Sequence, residues 1–263
     1  MATAPGSGPL EETSRPPAVG TVQIVDHALL VLKSLAEADR PRGVRELSRD
    51  LVISKSSTQR ILASLERVGL AVADESTRKY VIGPAALTLA WKHAANSDLV
   101  GAASAATSRI AAMSGETACV STVVDGRRVT VYEAESPQPL RLITGVGRPY
   151  SLFSGATGRV LLSMLAHERL DELVQAQEAE GGDVNVVLER VAAARDRGYA
   201  LSREEWIAGG CGVAVPIGTR GSVVAALSIY GPEARLTNER MTDLVPVLLS
   251  AAAEIAIRWS QPV

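Results

Sequence analysis

Apolar residues at Val22, Val25, Leu29, Leu32 and Ala36 recur at alternating spacings of three and four, the period of one helix face; Pro41 and Gly43 punctuate its end. A second, shorter helix is predicted over residues 44–51, with Val44, Leu47 and Leu51 inward and Arg45 and Arg49 outward. After the tight connection Val52-Ile53, Ser54 is placed to cap a third helix running to about Val68. This helix is divided along its length. Its front, Lys55-Ser56-Ser57-Thr58-Gln59-Arg60, is wholly polar, whereas Ile61, Leu62, Leu65 and Val68 make its rear apolar. Gly69 closes it, and two strand-like runs, 70–73 and 80–82, flank a polar tip ending in Arg78 and Lys79. Gly83-Pro84 then starts a helix over about 85–95. Its Leu87, Leu89, Ala90 and Trp91 form a face too apolar for an isolated linker, and it is expected to pack on the same helix of a second subunit.

The remaining two thirds mix both periods. Leu99, Ala103, Ala106, Ile110 and Met113 mark a helix over about 99–114. Apolar, β-branched runs at 118–124 and 129–134 meet at Asp125-Gly126, a strong hairpin signal. A third strand is predicted at 140–144, then a glycine-rich loop over 145–158 and a helix over about 156–165. Further helices are expected at 168–180 and 187–197, strands at 212–217 and 222–230 around Thr219-Arg220-Gly221, and a last helix at 238–259. Hairpins with flanking helices predict an α+β domain built on an antiparallel sheet.

A short helix, a tight turn and a longer helix that is polar in front and apolar behind is the pattern of a helix-turn-helix with its recognition helix; the following hairpin is a wing. Arg45, Ser54, Lys55, Ser56, Ser57, Thr58, Gln59 and Arg60 are the donor-rich groups expected to reach phosphates and base edges of double-stranded DNA. Arg78 and Lys79 are expected to meet backbone phosphate. Charge agrees locally although not globally. The 263 residues carry a formal net charge of −2, yet seven basic residues face three acidic ones between Arg40 and Arg67. Hydrophobic content of 46% allows a sizeable core, and with aromatics at 3% that core must be Ala, Val, Leu and Ile.

Other chemistries find little support. Gly145-Val146-Gly147 begins like a dinucleotide fingerprint, but the third glycine is missing and Pro149 interrupts the helix start. Ser154-Gly155-Ala156-Thr157-Gly158-Arg159 lacks the Gly-Lys-Ser/Thr end of a phosphate loop, although a small anion at that helix N-terminus fits its unpaired N–H groups. The adjacent Glu204 and Glu205 point apart and suit a structural role better than acid–base work. His27, His93 and His167 are scattered without partners at ligand spacing, so no metal is expected and no cofactor is called for. No Gly-x-Ser-x-Gly elbow or catalytic triad stands out, which argues against an enzyme. Cys119 and Cys211 have no repeated spacing and are expected as reduced thiols. Residues 1–20, rich in Pro, Gly, Ala and Thr, read as a disordered arm, and no apolar stretch suits a membrane helix, so a cytoplasmic protein is expected. Three readings from different classes stand: a ligand-responsive DNA-binding regulator, a metabolic enzyme using the glycine-rich loop, and an architectural DNA-binding protein with a ligand-free second domain. The polar recognition helix and wing favour the first over the second. The small polar groups of the glycine-rich loop and of the Ser228 strand favour it over the third.

In the order and spacing of many short pieces the chain resembles the IclR family of bacterial transcriptional regulators from Val22 onward. These include Ala28-Leu29-x-x-Leu32, Lys55 to Leu62, Tyr80-Val81-Ile82-Gly83, Gly115-Glu116-Thr117-Ala118, Asp125-Gly126-x-x-Val129 and Val146-Gly147-x-Pro149. Gly158-Arg159-x-Leu161-Leu162, Arg197-Gly198-Tyr199-x-x-Ser202-x-Glu204-Glu205, Ala214-x-Pro216 and Ala225-Ala226-Leu227-Ser228-x-x-Gly231 complete the set. The resemblance implies a winged helix-turn-helix over 21–83, a linker helix over 84–98 and a GAF-like effector-binding and oligomerisation domain over 99–263. It also implies homodimers, often paired into tetramers, that control nearby operons, more often as repressors. The effector, an organic acid or an aromatic metabolite, would lie near Ala156, Thr157, Ser202, Gly212, Ser228 and Tyr230. Arg159 stands where the family usually has Lys, Ser151 where it usually has Pro, Ser202 at an often acidic position and Tyr230 at one that can be Ser. These departures surround the pocket and bear on ligand identity more than on fold.

Overall fold

The computed structural model describes residues 22–95, 98–179, 181, 184–218 and 225–259. The predicted arm at 1–20 and the turn Thr219-Arg220-Gly221 lie outside the described residues. The chain divides into two compact units at Ala90 and Trp91.

The first unit holds α1 (Gln23–Ala36), α2 (Val44–Asp50), α3 (Lys55–Arg67), and the strands β1 (Ala71–Ala73) and β2 (Tyr80–Ile82). Val31, Leu35, Leu47, Ile53, Ile61, Leu62, Leu65 and Ala71 form its core. β1 and β2 pair in register as an antiparallel hairpin, Ala73 opposite Tyr80. Arg42 joins them through two backbone hydrogen bonds: its N–H donates to the Tyr80 carbonyl (2.9 Å) and its carbonyl accepts from the Tyr80 N–H (2.8 Å). The wing is thereby tied to the start of α2. The face predicted for α1 is corrected here. Val31 and Leu35 are the buried residues, whereas Val22, Val25 and Leu29 are each more than half exposed. α1 is apolar on both sides, so spacing alone did not identify the inward one. Its outer side, with Ile24, Val25, Leu29, Ile61 and Leu70, lines an open apolar groove of about 540 Å³.

α4 (Ala85–Ala95) follows the wing. The second unit contains α5 (Asp98–Ser114), β3 (Thr117–Val124), β4 (Arg127–Ala134), β5 (Pro149–Tyr150), α6 (Gly155–Met164), α7 (His167–Ala179), α8 (Asn185–Arg197), β6 (Ala200–Arg203), β7 (Gly210–Ile217), β8 (Ala225–Pro232) and α9 (Asn238–Trp259). Its sheet has the order β5-β4-β3-β8-β7-β6 and is antiparallel throughout. Strand alternation separates two layers. Ala118, Val120, Val213, Val215, Leu227 and Ile229 pack against α5 and α9, while Ala214 and Ala226 pack beneath α6 to α8 with Val160, Leu161, Leu170 and Val191. The architecture is α+β, with helices on both faces of the sheet. The β3–β4 turn places Asp125 at φ 53° and Gly126 at φ 72°, two successive left-handed residues that suit a tight hairpin.

Residues 140–144, predicted as a strand, form none. The outer edge of β4 is taken by β5, which pairs with Arg128 and Val129, and the Thr144 N–H donates to the Glu133 carboxylate at 2.7 Å instead of to a strand. β6 was not expected from the sequence; four residues are too few for periodicity to register.

Candidate functional site

The first candidate surface is the exposed side of α3. Ser54 caps the helix by accepting from the Ser57 N–H at 3.2 Å. With 100° between successive residues, Thr58, Ile61, Leu62 and Leu65 converge on the core and are buried, which leaves Ser56, Gln59, Arg60 and, two turns on, Arg67 facing out. Ser54 and Lys55 are exposed beside them and Ser57 is half-buried at the margin. Thr58 is the correction: it is fully buried, its hydroxyl donates to the Ser54 carbonyl at 3.0 Å, and it is not presented to a groove. A polar residue on the inward face of an amphipathic helix can satisfy itself one turn back, and its place in a polar run concealed this.

Arg45 is exposed on α2. Arg49 is also exposed and pairs with Asp50. In the wing, Arg78 at φ 53° and Lys79 are both exposed at the tip. The Asp74 carboxylate organises that tip, accepting from Ser76 Oγ (2.6 Å), the Ser76 N–H (2.8 Å) and the Thr77 N–H (2.9 Å). Chiefly through the Ser76 hydroxyl, these bonds hold its pKa down to about 2.

The second candidate site lies on the α6 face of the sheet. Ser202, Gly212 and Tyr230 are direct cross-strand neighbours in β6, β7 and β8, so they form one row. A Cβ on Gly212 would stand 2.8 Å from the Tyr230 ring, so glycine is what lets that ring lie across β7. From the first turn of α6, Thr157 shares a hydrogen bond with the Tyr230 hydroxyl. Ser228 sits next to the row, its Oγ 3.3 Å from the Cys119 thiol, both fully buried. Ala156 turns away into the apolar cluster beneath α6. Ser202 and Tyr230 line a small cavity there, together with residues sequence reasoning missed: Arg128, Leu142, Glu205, Trp206 and Ile207.

Arg128 projects from β4 and is 3% exposed. One guanidinium nitrogen donates to Tyr230 Oη at 2.9 Å, and the guanidinium carbon lies 4.6 Å from the Tyr150 ring centroid and 5.9 Å from that of Tyr230. Trp206 meets both rings edge to face, with centroids 5.5 Å and 5.9 Å away. Burial raises the pKa of both tyrosines and of Cys119, keeping all three neutral. The sequence shows only that Arg128 and Thr130 alternate with Val129 and Val131 and so share the opposite face of β4; that this face is covered, which turns Arg128 inward, is a feature of the fold.

The N-terminus of α6, read from sequence as a place for a small anion, is occupied by the chain's own Glu205. Its carboxylate accepts from the Gly155 N–H at 3.2 Å and pairs with the buried Arg159 and with Arg190. Glu204, at φ 54°, accepts from the Gly209 N–H at 2.9 Å. Both glutamates thus hold the segment that carries Trp206. Cys119 and Cys211 are free thiols, both buried. Among the described residues no helix is long and apolar enough to cross a membrane.

Residues 24–75 match the family model described as the IclR helix-turn-helix domain, and residues 91–257 match the one described as the C-terminal region of the bacterial transcriptional regulator IclR. Among curated relatives, the HTH-type transcriptional regulator KdgR of Escherichia coli K12 is 27% identical over 233 residues, covering 86% of this chain and 88% of that protein. The HTH-type transcriptional repressor AllR of the same strain is 26% identical over 250 residues, covering 92% of each. A solved IclR-type transcriptional regulator from Alicyclobacillus acidocaldarius superposes with a TM-score of 0.78 at 26% identity, covering 92% of this chain and all of that one.

Proposed function

The chain belongs to the IclR family of bacterial transcriptional regulators, and from that premise we propose how its parts divide the work. It is a DNA-binding regulator whose hold on its operator responds to a small molecule bound in the C-terminal domain. In our reading residues 21–83 bind DNA, 84–98 link, and 99–263 bind effector and oligomerise. Operator contact falls to Ser54, Lys55, Ser56, Ser57, Gln59 and Arg60 on the recognition helix, with Arg45 beside it and Arg78 and Lys79 of the wing on phosphate. The observation that carries this is the clean division of α3 into a buried side and a donor-rich exposed side.

The protein works as a homodimer, which gives one recognition helix to each half-site. Leu87 and Leu89 of α4, 73% and 60% exposed in the single chain, support that helix as part of the contact. Pairing of dimers into tetramers is the family's habit and is assigned here on that ground alone. The sense is repression, by likeness to a relative named as a repressor, the setting is the cytoplasm, where the DNA is, and no catalytic role is assigned. Effector is taken up around Thr157, Ser202, Gly212, Ser228 and Tyr230.

A gel shift on an operator selected from random duplex DNA tests the DNA half. Lys55→Ala combined with Arg60→Ala is expected to weaken operator binding at least about tenfold, since each base-edge contact contributes about 1–3 kcal/mol, while the dimer stays intact. Unchanged affinity would remove α3 from the interface.

A further inference from the structure

Resting on the reading of the C-terminal unit as an effector domain, we propose that Arg128 is the counter-ion for a carboxylate on the effector. Trp206, which lines the same cavity and meets the Tyr150 and Tyr230 rings edge to face, gives way to the ligand's apolar body. The ligand class is therefore a small monocarboxylate with a flat or compact hydrocarbon part.

The starting point is an imbalance of charge. Three other buried or half-buried arginines are matched by carboxylates, Arg159 by Glu205, Arg235 by Glu116 and Arg42 by Glu46 and Asp50, and half-buried Arg195 donates to the Ser163 carbonyl. Arg128 is as buried as Arg159. Among the described residues it makes no ion pair, its Nε–H meets no acceptor, and its one hydrogen bond is to a neutral phenol. Guanidinium does not deprotonate to escape burial, so such a group calls for an anion. Glu133, on the same strand, is already committed. Its carboxylate accepts from the Thr144 N–H, the Thr144 hydroxyl and the Gly145 N–H.

The surroundings set the kind of anion. One guanidinium faces the cavity, and the nearest helix N-terminus is filled by Glu205, so the charge to be met is that of one carboxylate rather than of a phosphate dianion. A fork of two parallel N–H···O bonds is what a carboxylate offers. The apolar part of the wall is Trp206, Leu142 and Ile207, with the Tyr150 ring against the guanidinium, and it suits hydrocarbon; the polar part is Ser154, Ser202, Tyr230 and Glu205, whose carboxylate is matched by Arg159 and Arg190. The cavity holds about 10 Å³, room for about one water. Trp206 must move for anything larger, and its segment is fastened by the Glu205 pairs and by the Glu204 bond to Gly209.

The test uses the full chain and four acids, acetate, hexanoate, benzoate and phenylacetate, each beside its uncharged primary amide. Binding is followed by tryptophan fluorescence and thermal unfolding. At least one acid is expected to bind about tenfold or more tightly than its amide, the preference of a charge-assisted pair in a desolvated site, with a change in Trp206 emission that Trp206→Phe removes. Arg128→Lys keeps the charge without the fork and weakens the acid. Arg128→Met abolishes the acid preference. In the absence of ligand Arg128→Met is expected to unfold at the same or a higher temperature than the wild type, because it removes an unmatched charge; a structural arginine would do the reverse. A lower unfolding temperature for Arg128→Met, or no acid preferred over its amide, overturns the carboxylate assignment and leaves operator control untouched. Operator affinity that stays constant with every bound acid and amide overturns the effector reading itself.

Discussion

At the scale of single residues, charge and hydrogen bonding settle which side chains face a partner. Asp74 is the clearest case on the DNA side. Its carboxylate fixes the wing tip through Ser76 and Thr77, and those bonds lower its pKa to about 2. A pKa below the unfolded value means that the contribution is complete above about pH 4 and is lost as pH falls through the folded value. The protection of the Ser76 and Thr77 amides, taken as exchange relative to the intrinsic rate at the same pH, is accordingly expected to be constant above about pH 4 and to fall as pH drops towards about 2. In Asp74→Ala this protection is expected to be absent at every pH; a wild type without it at neutral pH would contradict the role given to Asp74. Single residues were unevenly legible in the sequence. The Ser54 cap and the exposed Lys55, Gln59 and Arg60 followed from residue type and helical phase. Thr58 did not, because a threonine reads as polar whether its hydroxyl meets DNA or its own helix. Arg128 was missed for the opposite reason: an arginine in a strand suggests a surface, and only the knowledge that both faces of the sheet are covered turns it inward.

At the scale of elements, the turn between α2 and α3 carries the least expected feature. Val52 stands at φ 54° with its side chain 91% exposed, so a β-branched residue holds a left-handed conformation with no packing to favour it. That conformation costs an L residue roughly 1–2 kcal/mol, and glycine is free of it apart from a smaller entropic penalty. Val52→Gly is therefore expected to stabilise the N-terminal unit by about 0.5–1 kcal/mol, a rise of several degrees in its unfolding temperature. A fall would show that the turn is held by something other than its own backbone preference. Elements announced by strong periodicity or special turn residues were legible: α3, the Asp125-Gly126 hairpin and α9 all lie close to where the pattern put them. Elements set by their neighbours were not. Residues 140–144 look like a strand but find their edge taken, and β6 is a strand only because β7 lies beside it.

At the scale of the whole molecule, the central claim is that one chain couples two binding events. The sequence conveyed the two-part plan and the α+β sensor fold, because both rest on patterns repeated over many residues. It did not convey the pocket's chemistry, which arises where β4, β8, α6 and the 204–209 segment meet, and no stretch of sequence contains that meeting. Coupling between sites is reciprocal by necessity: if ligand changes operator affinity by some factor, operator changes ligand affinity by the same factor. The most direct measurement is a pair of titrations on the full-length protein. One follows operator binding by fluorescence anisotropy with and without the tightest of the four acids, and the other follows that acid by calorimetry with and without operator. Ligand is expected to change operator affinity by about 5–150-fold, with the reciprocal factor matching, and both factors are expected to fall to one in Arg128→Met. An acid that binds the wild type at the pocket yet leaves operator affinity unchanged would contradict the coupling.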